Sequence, residues 1–166
     1  MTFIRNRLHE TWACDFFVVV TARFRVLYVF VVLALGRRRL IHVGVTQHPS
    51  AAWSAQRIVE ATLDADYIPR FLVHDRDSIF GVLFRNRVRG LGTRLLPPPP
   101  RSPTANAFCE RVIGSLRRDC LDHVIIRDQL HLEHVLDGYL TDYHGRPHRG
   151  LLMQPPDGEH RLAAPT

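Results

Sequence analysis

The chain contains no lysine: all 22 of its basic residues are arginine. Against 16 acidic residues this leaves a net charge of +6 over 166 residues. Arginine keeps its charge and presents a flat donor fork that matches phosphate oxygens. A basic excess points to a polyanionic partner, although basicity by itself does not separate a nucleic-acid binder from a merely basic surface. Cysteine is scarce, with Cys14, Cys109 and Cys120 alone. An odd count without a CxxC pair excludes a disulfide framework and a zinc finger, and reads as small semi-buried thiols in a reducing cytoplasm. Long apolar runs are also missing. The longest, residues 26–35, is about half of what a spanning helix needs, and no signal-peptide pattern is present. The expectation is a cytoplasmic protein without a membrane partner. No internal repeat is visible. What is present is 46% hydrophobic and 23% charged, the balance of a folded domain. The length suits one domain with a real core.

Residues 12–20 are rich in β-branched and aromatic side chains and predict a strand. A turn is expected at 21–25. Residues 26–35 follow as a second strand, apolar on both faces and therefore central. The basic connection Gly36-Arg37-Arg38-Arg39 leads to a third strand at 40–46, completing an antiparallel meander. Ser50 is positioned to cap a helix in which Ala52, Ala55, Val59 and Leu63 recur at helical spacing. Phe71-Leu72-Val73 is a short buried strand with His74-Asp75 at its end. Phe80, Leu83, Phe84, Val88 and Leu91 fit one helical face, and 93–96 a last short strand. Pro97 to Pro103 exclude a helix or inner strand there. A helix over 106–121 would face inward with Ala105, Cys109, Val112, Leu116 and Cys120. A further helix is marked by Leu132, Val135, Leu136, Tyr139, Leu140 and Tyr143, with Gly145 and Pro147 as its stop. A tail follows from Pro155. A meander followed by α/β units predicts a mixed sheet with helices packed on it.

Three acidic residues occupy informative places. Asp15 sits in the first strand among Trp12, Cys14, Phe16 and Phe17. A carboxylate there is either paired, metal-bound, or on the water-facing side of the strand. Asp75 follows a buried strand, where functional groups gather in α/β sheets. The same segment could serve as a turn, with Asp77 or Ser78 capping the next helix. Glu110 lies near one helical face with Asn106 and Arg117, a face that could equally be solvated. Mg²⁺ takes hard oxygen ligands and accepts few carboxylates together with water and phosphates. Two such ions can clamp the attacking and leaving oxygens of a phosphodiester displacement.

Three blocks carry a family resemblance. They are Trp12-Ala13-Cys14-Asp15-Phe16-Phe17, Phe71-Leu72-Val73-His74-Asp75-Arg76-Asp77, and the stretch from Arg101 to Arg111 that contains Ala105-Asn106-Ala107-Phe108-Cys109-Glu110. They resemble the signature blocks of DDE integrases and insertion-sequence transposases, and 34 residues separate Asp75 from Glu110. Gly114 to Asp122 and Tyr143-His144-Gly145-Arg146-Pro147-His148 resemble the segments that follow in that family. The resemblance implies a ribonuclease-H-like fold: an α/β, mixed five-stranded sheet with flanking helices. It implies a catalytic core over 1–128, a helical extension of the same domain over 129–156, and a tail over 157–166. It implies that Asp15, Asp75 and Glu110 hold two divalent cations, Mg²⁺ or Mn²⁺, with Asp15 shared between them. A water or a DNA 3′-hydroxyl would attack a phosphodiester, giving cleavage or strand transfer without a covalent enzyme–DNA intermediate. Asn106, Arg111, Arg117 and Arg118 would contact DNA.

Partners implied are DNA (element ends and target), further copies of the chain, or a separate helix-turn-helix subunit. Relatives carry a helix-turn-helix region ahead of the core, whereas 14 residues precede Asp15 here. A core that binds DNA or another subunit without turnover is the alternative expectation. Among secondary candidates, His74 reads as a polar neighbour more readily than a ligand. Arg37, Arg38 and Arg39 read as a backbone contact or a solvated turn. Arg146 and Arg149, near His144 and His148, form a basic tail, and Trp12 and Trp53 are core aromatics.

Overall fold

The computed structural model describes residues 7–65, 67–75, 78–96 and 106–145. A short 3-10 turn, Leu8–Glu10, leads into β1, Thr11–Val20, and β2, Val26–Ala34. Both strands are dominated by Val, Leu and Phe, which suit a pleated surface. They pair antiparallel from Trp12 opposite Ala34 to Val20 opposite Val26. β3, Arg39–Thr46, pairs antiparallel with the far edge of β2. β4, Phe71–His74, and β5, Arg94–Leu96, add in parallel on the other side of β1. The sheet order is β3-β2-β1-β4-β5. This is the mixed five-stranded sheet with flanking helices expected from the sequence. β2, expected to be central, is an inner strand between β3 and β1, with Val29, Phe30 and Val32 wholly buried, and β1 takes the middle of the sheet.

The first helix, α1, spans Ala51–Asp64, and the Ser50 side chain accepts a hydrogen bond from the Trp53 backbone N–H at 3.2 Å. Its buried stripe is Ser54, Ala55, Ile58 and Ala61. Of the residues that recur at helical spacing, Ala55 is buried, whereas Ala52 is exposed and Leu63 is 78% exposed. The sequence is rich in alanine here, so hydrophobic contrast around the helix is weak. Ser54 can go inside because its hydroxyl donates to the Ser50 carbonyl at 2.9 Å. α2, Val82–Gly90, buries Phe84 and Val88 but leaves Leu83 63% exposed. A 3-10 turn, Ser78–Phe80, precedes it and delivers buried Phe80. α3 spans Asn106–Asp119 and α4 spans Gln129–Gly145.

The sheet separates two cores. On one face Trp12, Phe30, Leu72, Ile58 and Phe84 pack beneath α1 and α2. On the other, Phe17, Val31 and Leu33 meet Leu116 of α3 and Leu132 and Leu136 of α4. α4 is also tied to the sheet side by polar bonds. Gln129 Nε2 donates to the Val45 carbonyl at 3.1 Å, and the Tyr143 hydroxyl to the Arg38 carbonyl at 3.0 Å. Among the described residues no helix is long and apolar enough to cross a membrane. The proline run, Ala105, the Arg146–His148 region and the tail lie outside the described residues.

Candidate active site

Side chains alternate between the faces of a strand. Along β1, Trp12 and Cys14 enter the core beneath α1, whereas Ala13 and Phe17 enter the core beneath α3. Asp15 shares the parity of Ala13 and Phe17, so it belongs to the α3 face. It is partly buried, and its Oδ1 accepts the Phe16 backbone N–H at 2.8 Å. That bond fixes the orientation of the carboxylate.

The parallel register between β1 and β4 ends with Cys14 beside His74. One step further along each chain stand Asp15 and Asp75. Neighbouring strands lie about 4.8 Å apart, so these residues leave the sheet side by side. Asp75 is exposed at the carboxyl end of β4.

Glu110 is exposed on α3, one residue after fully buried Cys109. Cys109 is the link between Glu110 and Asp15. Its thiol pKa is pushed far up, first by burial and then by the negative charges of Asp15 and Glu110. Both carboxylates act on the same sulfur through their charge. Cys14, on the opposite face of β1, is also pushed up by burial, with smaller contributions from Cys109 and Asp15.

All-oxygen donors of this kind suit hard divalent cations. The register brings Asp15 and Asp75 together, and α3 carries Glu110 over the same face. Among the described residues, no three His, Cys, Asp or Glu side chains are gathered closely enough to hold a metal ion. The structure thus juxtaposes the three carrier elements without closing the three carboxylates into one cage.

The basic candidates divide. Arg117 is anchored: Nη2 donates to the Val18 carbonyl at 2.8 Å, and the guanidinium lies 5.2 Å from the Phe17 ring centre. It straps α3 to β1 at Phe17 and Val18, two and three residues beyond Asp15. Arg111 is exposed, with its guanidinium 5.9 Å from the Phe108 ring centre. Arg38 approaches the same ring at 5.6 Å, so the connection before β3 reaches the helix that carries Glu110. Arg118 is exposed and folds back over Gly114. Asn106 opens α3. Arg37 and Arg39 are elsewhere, lining a shallow cleft with Ile41, Ala65 and Tyr67.

His74 takes the structural role. In register with Cys14, it points away from Asp15, and its ring lies 4.9 Å from Phe80 and 5.7 Å from Phe84. Its Nδ1 donates to the Asp75 carbonyl at 2.6 Å. Burial lowers its pKa, although that hydrogen bond opposes the shift. Trp12 is fully buried and donates to the Tyr67 hydroxyl at 3.1 Å, while Trp53 packs at the rim of the same core. Cys109 is buried as its inward position on the helix predicts, whereas the contributions of Phe108 and Tyr67 were not apparent from sequence. Strand parity applied to β1 and β4 is the signal that separates His74 from Asp75.

Residues 91–156 match the sequence model of the integrase core domain family. No curated protein matches the chain in sequence. Several solved structures share its fold. One is a chain of the simian T-cell lymphotropic virus intasome in complex with PP2A regulatory subunit B56 gamma. It has a TM-score of 0.75 and 12% identity over 95% of this chain. This chain spans 58% of that protein's length. The catalytic core domain of BIV integrase matches with a TM-score of 0.62 and 15% identity, over 89% of this chain and 91% of that one. The catalytic domain of Mos1 mariner transposase matches with a TM-score of 0.68 and 13% identity, over 84% of this chain and 74% of that one. The chain has the fold of integrase and transposase catalytic cores.

Proposed function

We propose that this integrase-type core cuts and joins DNA in a metal-dependent reaction, as in DNA integration or transposition. The observation that carries the reading is the parallel register that sets Asp15 beside Asp75 beneath the helix bearing Glu110. These three carboxylates would hold two divalent cations, Mg²⁺ or Mn²⁺. A bound cation supplies Lewis acidity and offsets charge that builds on the phosphate during displacement. The protein's own part is positional. The Phe16 N–H orients Asp15, and the Arg117 strap holds α3 against β1. Glu110 is exposed, so its carboxylate would be open to a cation and to DNA.

Arg111 and Arg118, exposed on the Glu110 helix, would contact phosphates, with Asn106 at the start of that helix. Arg117 would do so only with donors not engaged on Val18. DNA is the proposed partner, with further copies of the chain or a helix-turn-helix subunit completing the assembly. The fold neighbours support this: one is part of a viral intasome, and another is an HTLV-2 integrase core described as dimeric and in complex with magnesium.

The test is cleavage or joining of labelled DNA by the purified chain. The reading expects product with Mg²⁺ or Mn²⁺, none with EDTA, and none from Asp15→Asn in either metal. Equal cleavage by Asp15→Asn would remove the triad assignment. Salt-sensitive DNA binding without product in any metal would leave a DNA-binding core without turnover.

A further inference from the structure

The turn between β1 and β2 breaks two local rules at one residue. Phe24 adopts φ of 59°, and its side chain is 88% exposed. The left-handed region costs a residue with a Cβ about 1–2 kcal/mol, which is why glycine or asparagine ordinarily fills such hairpin positions. An aromatic ring in water adds a second unfavourable choice, because it contributes no packing in return. The conformation is nevertheless held firmly. Phe24 N–H donates to the Thr21 carbonyl at 2.8 Å, Thr21 N–H to the Arg25 carbonyl at 2.9 Å, and Arg25 N–H to Thr21 Oγ1 at 3.0 Å. Ala22 N–H braces the turn on the Ile126 carbonyl at 2.7 Å. Strain in an over-determined segment is a mark of function.

The neighbours of Phe24 indicate the partner's chemistry. Arg23 and Arg25 flank it and are exposed. An exposed ring between two guanidinium groups matches a polyanion that also offers flat apolar faces, which describes a nucleic-acid strand with an accessible base. The location agrees. β4 ends level with Cys14, while β1 runs six residues further to Val20. The hairpin therefore runs on past the end of β4, where Asp75 stands beside Asp15, with β3 accompanying it as far as Thr46 opposite Tyr28. Six residues of strand cover about 20 Å, or about six base steps of a DNA helix at 3.4 Å each.

We propose that the Arg23-Phe24-Arg25 tip is a second DNA contact, in which Phe24 stacks on an unpaired or unstacked base and the two arginines take the flanking phosphates. The proposal rests on the DNA-processing reading and adds to it a preference for strands with exposed bases.

The test measures binding of the full chain to labelled single-stranded and duplex oligonucleotides in EDTA, so that cleavage chemistry does not enter. Phe24→Ala is expected to weaken single-strand binding roughly five- to 150-fold, the range for loss of one stacked base. Its salt dependence should stay unchanged. Arg23→Gln with Arg25→Gln should instead lower the log–log salt slope by about 1.4, or about 0.7 per phosphate contact. Phe24→Gly separates strain from recognition: the protein should become more stable while binding falls. Phe24→Trp should retain affinity and show fluorescence quenching by DNA beyond that of Trp12 and Trp53 in the parent chain. Binding by Phe24→Ala within twofold of the parent, with no added quenching in Phe24→Trp, overturns the proposal. So does a loss of self-association in Phe24→Ala with unchanged DNA binding, which would make the tip a contact between copies. If the tip variants behave as expected but metal-dependent cleavage never appears, the triad reading fails alone. A parent chain that binds neither oligonucleotide sinks both.

Discussion

Burial and charge act together on the thiols around Asp15. Desolvation raises Cys14 and Cys109, and neighbouring carboxylates raise them further. Only thiolates react readily with alkylating reagents. Native protein at pH 8 should therefore be labelled first at Cys120, which is partly exposed, with Cys14 and Cys109 protected until the chain unfolds. Peptide mass spectrometry reads this directly, and rapid native labelling of Cys109 would contradict its placement beneath Glu110. Tyr143 gives a pH prediction. Burial raises its phenol to about 12, against a weaker opposing effect of Arg38. A raised folded pKa means that the unfolded chain loses its proton first. The stabilisation is complete below about pH 10 and is lost between pH 10 and 12. Removing the hydroxyl in Tyr143→Phe should destabilise by about 1 kcal/mol at pH 8, through loss of the bond to the Arg38 carbonyl. That penalty should shrink or reverse by pH 11 in denaturant titrations. A deficit that stays constant across this range would mean the phenol is not shifted.

At the scale of elements, the strands were legible because β-branched and aromatic runs cover Thr11–Val20 and Val26–Ala34. Ser50 marked the start of α1, and its replacement by alanine should cost about 1 kcal/mol. The phase of α1 was not legible. Small residues surround the helix, and the buried serine is satisfied by a backbone carbonyl that sequence does not display. A pair of variants checks the corrected face. Ile58→Ala should destabilise by about 2–5 kcal/mol, and Leu63→Ala by less than about 0.5 kcal/mol. Equal losses would contradict the burial of Ile58 and the exposure of Leu63. Similarly, the position of Asp15 on the α3 face follows from strand parity, but its relation to Glu110 depends on how α3 packs. The Arg117 strap joins residues 99 apart in sequence, which no local pattern reveals.

At the scale of the molecule, Asp75 at the end of β4 stands beside Asp15 in the middle of β1, on the sheet face that α3 covers. The three sequence blocks named Asp15, Asp75 and Glu110 through a resemblance, and the register sets only the first two on adjoining strands. The arginine excess fits the same design, since a charge of +6 favours approach of a phosphate backbone. The account's central claim is that Asp15, Asp75 and Glu110 act as one metal-holding unit. Nicking of supercoiled plasmid in Mn²⁺ by Asp15→Asn, Asp75→Asn and Glu110→Gln tests it most directly. Asp64→Asn serves as a control on α1, whose carboxylate pairs with His42 at 2.9 Å. The account predicts background nicking from each of the three variants and parent-like nicking from the control. Parent-like nicking by any one of the three would contradict it.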